Sequence, residues 1–265
     1  MSFTLIDRIF TDSAAPAGFD ALALEVFRYQ AEHCEPYGRY IDLLGIDPSA
    51  VTGLREIPYL PVEFFKTHRI YSACSPEHEE PEVIFTSSGT TGSETSRHYV
   101  ASTALYEQSF QKGFEHFYGA AAEWSIFALL PSYMERTGSS LVYMAERLQA
   151  QNKGCGGFYL YDHDKLTADL LSAAERGEKI LLIGVAFALL DYAEYLSSNG
   201  IALNLPEGAV VMETGGMKGR RREVSRETMH ETLCRAFGVG AIDSWTGEVN
   251  YRRGFADQLR LNWRA

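Results

Sequence analysis

Lys179-Ile180-Leu181-Leu182-Ile183-Gly184-Val185 is the plainest buried strand in the chain. The run is apolar after its first residue and has strand length. A strand with one wet face would alternate polar and apolar residues, whereas a continuous apolar run is buried on both faces. Working outward, residues 186–197 read as a helix, 209–212 as a strand, 226–237 as a helix, and 240–243 as the start of another strand. Upstream, 165–175 read as a helix, 158–161 as a short strand, 139–149 as a helix, and 125–130 as a buried strand ending at Pro131. Strands and helices therefore alternate, which predicts an α/β fold with a mostly parallel sheet. Ligands of such sheets gather in loops beyond the carboxyl ends of the strands.

Nearer the N-terminus, 82–86 read as a short strand and 103–118 as a helix with Leu105, Phe110, Phe114 and Phe117 as core positions. Residues 19–33 form the first clear helix, with Asp20 supporting its start and Leu22, Val26, Phe27 and Tyr29 near helical spacing. Proline and glycine punctuate 35–61 into short helices and turns. The loops after residue 86, at Pro131, at Glu213 and at Asp243 all follow strand-like runs, so one crevice is expected to collect all four.

The chain has 265 residues and a formal net charge of -11. Hydrophobic residues make up 46% and charged residues 22%, enough to bury a sizeable core. An acidic chain lacks the broad basic surface of a nucleic-acid binder, so no nucleic-acid partner is expected. The four cysteines (Cys34, Cys74, Cys155 and Cys234) show neither CxxC pairing nor histidine spacing. A structural zinc site and a disulfide scaffold are therefore not expected. No signal peptide and no membrane span are legible, and the cytoplasm is the simplest location.

The segment Phe85-Thr86-Ser87-Ser88-Gly89-Thr90-Thr91-Gly92-Ser93-Glu94-Thr95-Ser96-Arg97-His98 carries the most specific chemistry. Its hydroxyls would be costly in a dry core. Glycines let backbone amides approach an anion, and hydroxyls add donors to phosphate oxygens. A solvated turn is the alternative, but this ordered string after an apolar strand favours phosphate. It does not match the Walker pattern of a glycine-rich loop closed by Gly-Lys-Ser/Thr. A second loop, 213–226, concentrates Lys218, Arg220, Arg221, Arg222 and Arg226 beside Gly215-Gly216. Arginine forks grip phosphate or carboxylate. The individual arginines are equally accounted for as a solvated helix start pairing with Glu223 and Glu227. The aromatic residues Phe64, Phe65, Phe110, Phe114, Phe117 and Tyr118 either line an acyl pocket or pack the core, and packing is the default. His98 follows the hydroxyl loop and is a candidate for orienting phosphate. His68 and His230 read as packed or surface residues.

The segment 86–92 resembles the phosphate-binding motif of the adenylate-forming superfamily, which includes acyl-CoA synthetases and phenylacetate-CoA ligases. Together with Leu60-Pro61-Val62-Glu63-Phe64-Phe65-Lys66 and Glu213-Thr214-Gly215-Gly216-Met217-Lys218-Gly219-Arg220-Arg221, it is similar to acyl-protein synthetases of the LuxE type, from about residue 57 to residue 243. The resemblance implies ATP and magnesium (Mg2+) as cofactors and a carboxylic acid, specifically a fatty acid, as substrate. The acid would become an acyl-adenylate and then a thioester on a thiol acceptor, a protein cysteine or CoA. It also implies a reductase or other biosynthetic partner protein.

Residue by residue, the resemblance makes Ser87, Ser88, Gly89, Thr90, Thr91 and Gly92 phosphate-binding. It makes Gly215, Gly216, Lys218 and Arg220 nucleotide-binding, and Thr90, Thr91 and Arg97 catalytic. Asp243-Ser244-Trp245-Thr246-Gly247-Glu248 stands where relatives carry Tyr-Gly-x-Thr-Glu, so Glu248 is either the magnesium carboxylate, with a catalytic role, or a surface glutamate. Glu94-Thr95-Ser96 departs from the proline and basic residue of relatives, and Arg97 is the substitute charge. Cys234, inside a helix, reads as a buried structural thiol more than as an acyl acceptor. The expected division is an N-terminal helical segment at 1–56, a nucleotide- and acyl-binding α/β domain at 57–248, and an atypical tail at 249–265, without the family's C-terminal lid domain. A CoA ligase of the phenylacetate-CoA ligase type and a catalytically incomplete nucleotide-binding partner protein remain the alternatives.

Overall fold

In a computed structural model, residues 8–10, 16–72, 80–87, 95–130, 138–152, 154–215 and 224–244 are described. They fall into two units, one ending at Ser109 and one beginning at Phe110.

The first unit begins with helix α1 (Pro16–His33) and helix α2 (Glu35–Leu43). Phe27 of α1 meets Tyr37 of α2 edge to face at a 6.2 Å centroid distance, and Cys34, Ile41 and Val51 complete that core. Side chains tie the turns of 44–58 to the helices. Arg28 donates to the Val51 carbonyl at 2.9 Å, and the Tyr37 hydroxyl to the Pro58 carbonyl at 2.9 Å. A single helical turn spans Phe64–Thr67. Strand β1 (Val83–Thr86) then pairs antiparallel with β2 (Arg97–Val100) as a separate two-stranded sheet. Helix α3 (Thr103–Tyr118) follows. Glu82 anchors its start by accepting from the Thr103 amide and hydroxyl, each at 2.8 Å. A carboxylate is favoured at a helix N-terminus, where amide dipoles point outward.

The second unit holds β3 (Trp124–Leu129), α4 (Ser140–Gln149), β4 (Gly157–Phe158), α5 (His163–Glu175), β5 (Lys179–Gly184), α6 (Ala186–Ser198), β6 (Val210–Glu213), α7 (Arg226–Phe237) and β7 (Asp243–Ser244). Among the described residues these strands form one parallel five-stranded sheet in the order β4-β3-β5-β6-β7. All six residues of β3 and the last five of β5 are buried between helical layers, with Ser125 as the one polar side chain among them. The chain steps one way from β3 to β4 and the other way from β4 through β7. Right-handed crossovers then put α5, α6 and α7 on one face and α4 on the other. Contacts agree: the Thr167 hydroxyl of α5 bonds the Tyr192 hydroxyl of α6 at 2.9 Å, and the Tyr192 ring stacks on Phe237 of α7 at 5.7 Å. Side-chain caps start the helices where the sequence supplies them. Ser139 accepts from Val142, Asp162 from Lys165 and Ser225 from Thr228.

Three sequence expectations change. Strand β1 does not join the parallel sheet. It forms a hairpin with β2, because a polar loop returns the chain directly to an antiparallel partner. Arg97 and His98, read as loop, are the first residues of that partner strand. Glu213, read as a loop residue, ends β6 with no exposed surface.

Candidate active site

The last paired row of the parallel sheet runs across Leu129, Gly184, Glu213 and Ser244. Each of these residues stands at the carboxyl edge of the sheet, and side chains in one row of a sheet share a face. Here that face is covered by α6 and α7. A Cβ at Gly184 would stand 2.9 Å from the Leu189 side chain of α6 and 3.1 Å from the Leu129 carbonyl, so glycine permits the helix to approach.

The turn after β6 is built from the backbone outward. Thr214 donates its amide to the Gly184 carbonyl at 3.0 Å. Gly215 adopts φ 72°, a left-handed conformation that a side chain would strain. Its carbonyl accepts from the Ala186 amide at 3.3 Å, satisfying one of the donors left open at the start of α6. Its own amide donates to Glu213 Oε2 at 2.5 Å. Glu213 Oε1 has no hydrogen-bond partner among the described residues. It lies 3.7 Å from Arg226 Nε and 3.7 Å from His230 Nε2, both on α7. His230 Nε2 also meets the Ser244 hydroxyl at 3.2 Å. Beside them, the Tyr118 hydroxyl donates to Asp243 at 2.7 Å, and burial together with that carboxylate pushes the phenol far above its usual range.

The hydroxyl loop lies in the first unit. Ser87, exposed at the end of β1, donates its amide to the Ser96 carbonyl and accepts the Ser96 amide on its hydroxyl, both at 3.0 Å. Those two bonds close the hairpin around the loop. Arg97 pairs with Thr86 across the ladder, and its side chain is exposed. His98 stacks on Phe65 at 4.8 Å, and burial holds its pKa below 6.5. Ser88, Gly89, Thr90, Thr91 and Gly92 lie outside the described residues, as do Gly216, Lys218, Arg220 and Glu248. Phe110 and Phe114 are core residues. Phe64 stacks on His68. Cys234 is half-buried, and desolvation raises its thiol pKa.

The structure thus brings together Gly215, Glu213, Arg226, His230 and Ser244. Sequence reading had Gly215 and noted Arg226, but it took His230 for an ordinary helical histidine and gave Glu213 no role. The signal was present. Arg226 and His230 are four residues apart and so share a helical face, opposite a lone carboxylate at a strand end.

No family model matches the chain, and no curated protein does. Solved structures do. An open conformation of 2-hydroxyisobutyryl-CoA ligase, in complex with 2-HIB-AMP and CoA, superposes over 90% of this chain with a TM-score of 0.58 at 15% identity. The same ligase in its postadenylation state with R3-HIB-AMP superposes over 90% with a TM-score of 0.55 at 14% identity. The chain spans about half the length of these structures, 54% and 49% of the two. The α/β fold with its parallel sheet is therefore a fold shared with about half the length of these ligase structures.

Proposed function

We propose that this chain binds ATP and activates a carboxylic acid as its acyl-adenylate, passing the acyl group to a thiol. The observation that carries the reading is the joint presence of an adenylate-forming fold and the Thr86–Gly92 hydroxyl-glycine string. A carboxylate oxygen attacks the α-phosphorus of ATP, and the bond to the β-phosphate oxygen breaks. Pyrophosphate leaves with that electron pair. A thiol then attacks the acyl carbon, AMP leaves, and the thiol proton passes to solvent. The acid is already ionised at neutral pH, so the first step needs positioning and charge neutralisation more than a base. Ser87, Ser88, Gly89, Thr90, Thr91 and Gly92 take the phosphates, with Arg97 as a nearby charge. Gly215, Gly216, Lys218 and Arg220 take the adenine side.

Glu248 would be the protein carboxylate that holds magnesium beside the ATP phosphates, where the ion would neutralise phosphate charge. Glu248 lies outside the described residues, among which no group of three or more His, Cys, Asp or Glu gathers. The LuxE-like resemblance favours a fatty acid and a protein thiol, with a reductase as partner. The likeness to a ligase held in complex with CoA favours CoA as the acceptor. Pyrophosphate release over a panel of acids, with and without CoA, decides between them. A CoA thioester assigns the ligase, and release with acyl transfer only to protein assigns the acyl-protein synthetase. Absence of release with every acid would leave a nucleotide-binding protein.

A further inference from the structure

Among the described residues, Glu213 alone is a fully buried carboxylate with one oxygen lacking a hydrogen-bond partner. A buried, incompletely bonded carboxylate is costly, because it leaves water without recovering all its hydrogen bonds. A leucine of similar size would fill the same space without that cost. A compensating role is therefore to be sought at the atoms it touches.

We infer that Glu213 is a positioning residue: its carboxylate fixes the Thr214–Gly215 turn at the end of β6 and ties that turn to the first two turns of α7. Oε2 takes the Gly215 amide, which orients a glycine whose carbonyl in turn caps α6. Oε1 faces Arg226 and His230 at 3.7 Å each, too far for hydrogen bonds and close enough for the guanidinium charge of Arg226 to act on it. Arg226 is the first residue of α7, where the helix dipole disfavours a cation, and Glu213 offsets that. One side chain thereby holds both chain ends that flank residues 216–223.

A proton relay from Ser244 through His230 to Glu213 does not fit. Ser244 and Glu213 both meet His230 at Nε2, whereas a relay needs one partner on each ring nitrogen. What remains is orientation of backbone. In the adenylation reading, on which only the kinetic half of the test rests, that backbone faces the nucleotide.

The test compares wild type with Glu213→Leu and Glu213→Gln in the full chain. Amide exchange followed by NMR reads Gly215 against Val211 and Met212 of β6 in the same sample. Removing a charge-assisted bond should speed Gly215 exchange by about tenfold or more in the leucine variant, and by less in the glutamine variant, with β6 unchanged. Unchanged Gly215 exchange in Glu213→Leu overturns the proposal. Should that variant not fold, unchanged exchange in Glu213→Gln does so. ATP-dependent pyrophosphate exchange is then measured in the glutamine variant. A raised half-saturating ATP concentration with a nearly unchanged maximal rate supports positioning, because a merely destabilised protein would lose active fraction without changing that concentration. If wild type shows no exchange with any acid, the adenylation reading fails, and the Gly215 amide still decides the role of Glu213.

Discussion

Two glutamates sit at opposite edges of the same parallel sheet and live under different rules. Glu178 precedes β5 at the amino edge. It pairs with Arg176 at 2.6 Å and accepts from the Ser125 hydroxyl of β3, and those bonds, Arg176 first, hold its pKa below the usual carboxylate value. Arg176 also reaches the Cys155 sulfur, so the cluster satisfies itself. Glu213 at the carboxyl edge is wholly buried, yet one of its oxygens has no hydrogen-bond partner among the described residues. A closed polar cluster is scaffold. An open one is costly, and natural proteins tolerate such costs where ligands or moving parts need them. If that division holds, changes at the amino edge should cost stability, and changes in the ligand-facing loops should cost activity.

The largest expected effect belongs to the hydroxyl loop. Thr90→Ala combined with Thr91→Ala should lower ATP-dependent pyrophosphate exchange by about a hundredfold, the scale of losing phosphate-directed donors. The melting temperature should stay where it is. A double variant of full activity would remove the loop from the mechanism. Next comes Glu178→Leu, which strands the buried Ser125 hydroxyl and removes the Arg176 pair. Urea denaturation should show a loss of about 1–3 kcal/mol, toward the lower end because Glu178 is partly exposed. Pyrophosphate exchange per folded molecule should be retained. The reverse result, with stability intact and activity lost, would break the comparison between the two edges.

A smaller effect concerns acid. His98 is held below its ordinary 6.5 by burial, so the folded state binds fewer protons than the unfolded one as pH falls through that value. Stability should therefore drop on acidification from pH 7.5 to 5.5. His98→Phe, which keeps the ring on Phe65, should flatten part of that slope. The remainder belongs to groups such as His163, also lowered chiefly by burial. An identical slope in the variant would show that His98 does not titrate differently on folding. The smallest effect is expected at Cys234, whose raised thiol pKa disfavours the thiolate. Intact mass after incubation with ATP and a fatty acid should show no adduct there, and Cys234→Ser should leave thioester yield unchanged.

Most of the parallel unit was legible because its physics is local. The apolar run 179–185 has no surface face, and helices such as 226–237 carry their own caps. The placement of β1 was not legible. Its four residues look like any short strand, and only pairing with Arg97–Val100 shows that it belongs to a hairpin. The site was half legible for a related reason. Glycines and hydroxyls announce a loop in the sequence itself. Glu213 and His230 stand 17 residues apart in the numbering and acquire meaning only when α7 folds back on β6.

The pairing of the strands decides which part of the sheet yields last. Among the described residues, β3 and β5 share six aligned positions, β5 and β6 four, and β6 and β7 two. The longest run of pairing thus lies in the middle of the sheet, between β3 and β5. Opening free energies follow such gradients, from the global value at the centre to near zero at a frayed margin. The strands β3 and β5, paired along six positions, are then the last part of the sheet to open.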